Sequence, residues 1–161
     1  MKTKILSFSI AILQITISLI LIYGLYISLS LFLNVLTNSI FGYKYSDISF
    51  FKIFKNYIIK FTICLIGLIG GILIFFKHKL GNILSLSFWS TLLISNIFAI
   101  FKIYTKESNQ PIEIKETIYL FGIIILHVIF ISFYIFKNKF SKKDYIFPIS
   151  FLTFYIIIKL I

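Results

Sequence analysis

The sequence predicts an all-α protein: a polytopic transmembrane helical bundle of four to five spans with one interfacial amphipathic helix. Three observations carry this. Of the 161 residues 60% are hydrophobic and the mean hydropathy is +1.04, whereas soluble domains are roughly 45 to 50% apolar. Charged residues make up 13%, about half of the roughly 25% typical of soluble proteins and too few to cover a water-facing surface. Several apolar runs reach the roughly 20 residues that a helix needs to cross a hydrocarbon core about 30 Å thick.

The elements follow in chain order. After the basic start MKTK, residues 5–36 form one apolar run. It is much longer than the roughly 7 to 15 apolar residues of a secretory signal, so it is expected to remain as a span that tilts or projects beyond the hydrocarbon. Ser30, Asn34 and Asn38 make a polar stripe at its far end. In the connector, Ser49, Lys52, Asn56 and Lys60 fall on one helical face and Phe50, Phe54, Ile58 and Phe61 on the other. That periodicity predicts an amphipathic helix over 46–56, lying among head groups and leading into the second span.

The second and third spans are expected at 57–76 and 80–101. Between them lie only Lys77, His78 and Lys79, with Gly81 just after. Without those charges the run would be twice too long for one crossing; a basic turn held in water splits it into a tight antiparallel hairpin. Pro111, Glu113 and Glu116 suit the first turns of a helix, where a missing N–H costs nothing and the dipole favours anions. The fourth span is therefore expected to enter lipid over 117–136. The basic loop KNKFSKKD follows. The tail 145–161, with Asp144 as cap and Pro148 in its first turn, sits at the short limit for crossing, and is either a fifth span or a buried re-entrant segment. No repeat or linker divides the chain, so 1–161 is expected to be one integral membrane domain.

The net charge of +11 comes from 16 lysines against 5 acids, with no arginine. Arginine is the better bidentate reader of phosphates and bases, so a nucleic-acid partner is not expected. Lysines near span ends suit anionic lipid head groups instead. Lys52, Lys55, Lys77, Lys79, Lys142 and Lys143 are the expected anchors. Lysines divide equally between the two sides; the compact basic turn and short basic start favour a cytoplasmic N-terminus. The expected location is the cell membrane, specifically a bacterial inner membrane, with the lipid bilayer and other membrane subunits or further copies of the chain as partners.

Few residues offer chemistry. Gly67-x-x-x-Gly71, with Gly70 beside it and Cys64 one turn earlier, forms a groove of small residues for close helix packing, inside the chain or against another subunit. His127 falls near the midpoint of the fourth span, and Gln14 lies at similar depth in the first; they make either a buried pair fixing helix register or, with Asn96, a polar path. Asn34, Ser95, Asn96 and Trp89 define a candidate polar vestibule. All five acids lie in loops or helix starts, and phosphate loops, nucleophile elbows and metal-binding spacings are absent from the sequence. No catalytic residue, cofactor or metal is therefore expected. The function class these features favour is a non-enzymatic structural or accessory membrane subunit, the alternative being a small carrier or channel.

Overall fold

Apolar segments of this length can pair their backbone amides away from water only within a helix, and they do so throughout. The computed structural model describes residues 2–39, 50–105, 114–138 and 140–160. Among them are five α-helices and no strand: α1 (Lys2–Ser39), α2 (Phe50–Phe75), α3 (Lys79–Thr105), α4 (Ile114–Lys137) and α5 (Ile146–Leu160), with a 3-10 turn at Lys142–Tyr145. Three stretches are long and apolar enough to cross a membrane: Ile5–Asn34, Phe54–Phe75 and Lys79–Phe101. In α4 the apolar stretch Phe121–Lys137 is shorter, although the helix has 24 residues and reaches about 36 Å.

Two elements are bounded by the structure. Over its described part, 50–56, the amphipathic segment is helical and leads into the second span without a break, α2 running from Phe50 through Phe75, because nothing in that stretch interrupts helical hydrogen bonding. Residues 46–49 lie outside the described residues. At the other end, α5 has only 15 residues, about 22 Å of helix, which is short of a full crossing on its own. Pro148 does sit in its first turn, but Asp144 is not its cap.

Helix α3 is the hub. It packs against α2, α4 and α5, while the main neighbour of α1 is α2. Burial around much of the circumference of α3 follows: Ser85, Leu86, Ser87, Phe88, Trp89 and Thr91 are all buried. Hydroxyls in such a helix need acceptors, and Ser87 Oγ donates to the Ile83 carbonyl (3.0 Å) and Thr91 Oγ1 to the Ser87 carbonyl (2.8 Å). Ser28 Oγ on α1 and the Tyr57 hydroxyl on α2 join the first two helices at 2.7 Å.

The basic turn closes the α2–α3 hairpin by a defined mechanism. The His78 N–H donates to the Leu73 carbonyl and the Lys77 N–H to the Ile74 carbonyl, each at 3.0 Å, and Lys77 is left-handed at φ 53°. This is the paired bonding of a Schellman end, with lysine where glycine is usual. His78 then caps α3, its Nδ1 accepting the Leu80 N–H at 3.3 Å. Gly81 faces the last turn of α2 so closely that a Cβ there would lie 2.7 Å from the Ile74 nitrogen.

The turn before α5 is capped by Ser141. Its N–H and Oγ both donate to Asp144 Oδ2 (2.6 and 2.8 Å), and Lys79 Nζ reaches the same oxygen at 2.6 Å. The carboxylate therefore ties the start of α3 to the approach to α5. The Lys79 ammonium holds the Asp144 carboxyl below its usual range, helped by the Ser141 N–H. A depressed folded-state value gives stability that is present above the unfolded value of about 3.9 and lost as pH falls through the folded one. The melting temperature in detergent is expected to drop below about pH 4, modestly because Lys79 is largely exposed, and Asp144→Asn should abolish that acid-dependent drop.

Candidate functional site

Ser7, Ala11, Gln14 and Ser18 recur at helical spacing on one face of α1, and all four are buried. Opposite them α2 presents Gly67, Gly70 and Gly71. A Cβ on Gly71 would lie 2.6 Å from Ile15 Cγ1 and 3.2 Å from the Ala11 carbonyl oxygen, and one on Gly67 would meet Ser18 Oγ and the Phe88 ring. The glycine groove is thus used inside the chain, packing α1 and α3 onto α2. Cys64, also expected there, is buried on the same helix and free.

This close approach lets Gln14 Nε2 donate to the Gly67 carbonyl at 2.6 Å, a buried bond between helices. Gln14 does not pair with His127. The His127 Nδ1 lies 2.6 Å from the Ile123 carbonyl one turn back in α4; a carbonyl only accepts, so Nδ1 carries the proton and Nε2 is left as an acceptor. The imidazole packs edge-on against Trp89, with ring centroids 5.4 Å apart. Trp89 is not at an interface or in a vestibule. It is fully buried between Phe88 and Phe130, at centroid distances of 5.2 and 4.5 Å. Asn96 is half-buried farther along α3 and hydrogen-bonds to neither Gln14 nor His127.

The polar groups form a seam rather than an open path. A Cβ on Gly70 would lie 3.1 Å from both Gln14 Nε2 and the Ser85 nitrogen, so Gln14 and Ser85 face each other across that glycine. The Tyr134 hydroxyl on α4 lies beside Ser85 and Trp89. Gln14 Oε1, Ser18 Oγ, Ser85 Oγ, Trp89 Nε1 and the Tyr134 hydroxyl are all buried with no hydrogen-bond partner in the protein. Sequence reasoning found Gln14 and His127 but missed Ser18, Ser85 and Tyr134; the available signal was the four-three-four spacing of the small and polar residues of α1 within an otherwise apolar helix. Nothing marks Tyr134, since interface tyrosines look the same in sequence.

The expected lysine anchors divide. Lys77, Lys142 and Lys143 are exposed beside the hairpin turn and the loop before α5, whereas the Lys79 ammonium is engaged by Asp144. Lys55 is half-buried near the start of α2. Lys52 lies in the first turn of α2, its side chain outside the described residues. Among the described residues no group of three or more His, Cys, Asp or Glu side chains is placed to hold a metal. Comparison with protein families, with curated proteins and with solved structures finds no match.

Proposed function

We propose that the chain is a non-enzymatic multi-pass protein of the cell membrane, in bacteria the inner membrane, acting as a structural or accessory subunit of a larger assembly. The uneven covering of α1 supports this. With 38 residues it reaches about 57 Å, nearly twice the hydrocarbon thickness. Its main neighbour is α2, and Leu29, Leu31 and Leu33 near its far end are exposed at 38, 60 and 51%. A helix of this length that packs chiefly on one neighbour leaves apolar surface that another protein would cover.

The test is purification in mild detergent from the native membrane. A stoichiometric partner is expected, and Leu29→Ser/Leu31→Ser/Leu33→Ser should release it while leaving the melting temperature of the bundle unchanged. A lone species from the unaltered protein overturns the reading.

The seam of unpartnered polar groups favours a second reading, a small carrier or channel that hydrates this seam. Solute flux in proteoliposomes, lost in both Gln14→Ala and His127→Ala with folding retained, would select it over the first.

A further inference from the structure

A cavity of about 180 Å³ opens at the basic end of the bundle, between the start of α1, the α2–α3 turn and the end of α4. Its lining combines Lys77, His78, Lys137 and the Asn82 amide with the apolar groups of Phe8 and Ile74, and holds no carboxylate. Each of the three basic side chains keeps hydrogen-bond donors for a ligand. Lys77 and Lys137 are exposed, and neither pairs with a carboxylate among the described residues. The Lys137 ammonium lies 5.4 Å from the Phe133 ring centroid, and a ring face attracts the charge without saturating its three N–H donors. His78 Nδ1 accepts the Leu80 N–H, so the ring proton sits on Nε2, which is a donor. Asp144, the carboxylate at this end, is already held by Lys79 and Ser141. The backbone singles out Lys77 as well. At φ 53° it occupies the left-handed region that glycine adopts freely and other residues only at a cost. Main-chain bonds close the hairpin, and they gain nothing from a side chain at this position, whereas the cavity gains a cation.

We propose that this cavity binds the phosphate of an anionic phospholipid: Lys77 and Lys137 neutralise the phosphate, His78 Nε2 donates to one of its oxygens, and the glycerol lies against Phe8 and Ile74. The volume takes a phosphodiester and its glycerol, while the acyl chains run on into the surrounding hydrocarbon. The depth agrees. Lys77 lies two residues beyond the crossing stretch Phe54–Phe75, and Phe8 lies three residues inside Ile5–Asn34, so the cavity straddles the boundary where phosphate gives way to glycerol and acyl chain. A zwitterionic lipid would bring its own cation towards the two lysines, and a free phosphate would leave Phe8 and Ile74 uncovered. This inference is independent of the subunit reading above, since it concerns lipid at the basic end rather than protein against α1.

The full chain is held in neutral-detergent micelles with equal amounts of phosphatidylglycerol and phosphatidylcholine, and the lipid it retains is counted by native mass spectrometry. One phosphatidylglycerol per chain is expected, preferred over phosphatidylcholine by about 30-fold for two lysines at about 1 kcal/mol each. Lys137→Gln should cut that preference about fivefold. Lys77→Gly should cut it equally and, because glycine suits the left-handed turn, without lowering the melting temperature. Lys142→Gln/Lys143→Gln removes two exposed charges from the same end but outside the cavity, and should leave the preference unchanged. Three results overturn the proposal: equal retention of the two lipids by the unaltered protein, a loss in the Lys142/Lys143 variant as large as that in Lys77→Gly, or displacement of the lipid by inorganic phosphate at equal concentration, which assigns the site to the free anion.

Discussion

Gly81→Ala is expected to destabilise the bundle by about 3 kcal/mol or more, at the upper end of overpacking effects. The new methyl group would lie 2.7 Å from the Ile74 nitrogen and 2.8 Å from the Leu73 carbonyl carbon. Both are main-chain atoms in the last turn of α2, so no side-chain rotation relieves the overlap. The same turn supplies the Leu73 and Ile74 carbonyls that accept from His78 and Lys77. Relief therefore requires α3 to move off α2 and breaks the bonds that close the hairpin. Because α3 also carries α4 and α5, the displacement reaches the whole bundle. Denaturant unfolding in detergent micelles, followed by Trp89 emission, measures it. Gly122→Ala is the control: nothing lies within 4 Å of that Cβ, and alanine in an exposed helix should gain up to about 1 kcal/mol. Equal stability of Gly81→Ala and the unaltered protein would disprove the close approach of the two helices.

The second large effect is expected from Gly67→Ala, at about 2 to 3 kcal/mol. Its Cβ would enter the space of Ser18 Oγ on α1 and lie 2.5 Å from Phe88 Cε2 on α3. Phe88 is fully buried against Trp89 and has nowhere to turn. Separation of α1 from α2 would also stretch the bond from Gln14 Nε2 to the Gly67 carbonyl, leaving a second buried amide group unpaired. Ser18→Gly in the Gly67→Ala background should recover part of the loss, because it clears one of the two obstructions while the Phe88 overlap remains. A double-mutant cycle on Ser18 and Gly67 measures this coupling directly. Strict additivity would mean that α1 does not seat on α2 at this point.

The glycine groove shows how far sequence reading reaches. Gly67-x-x-x-Gly71 signals close helix packing wherever it occurs in an apolar run, but the spacing is the same for a partner in the chain and a partner outside it. Only the position of Ser18, Ile15 and Phe88 against those glycines decides for the former. Gln14 and His127 illustrate the complementary limit. Both are conspicuous as polar residues in apolar helices, and equal depth makes a pair plausible from sequence, yet rotation about each helix axis directs Gln14 to α2 and His127 to Trp89 on α3. Depth is counted in residues along a helix; facing is set by what the helix packs on.

By itself the sequence determined the helical class and the break between α2 and α3: apolar runs of bilayer length must satisfy their amides locally, and the basic residues Lys77, His78 and Lys79 split the run. The tertiary structure alone decided that α3 is the hub and that Ser28, Lys60, Ser95 and Lys159 converge on one cavity. The physical reason is that hydrophobicity, which fixes the segments, is nearly indifferent among neighbours once a helix lies among apolar groups. Close contact at glycines and a few hydrogen bonds then select which faces meet.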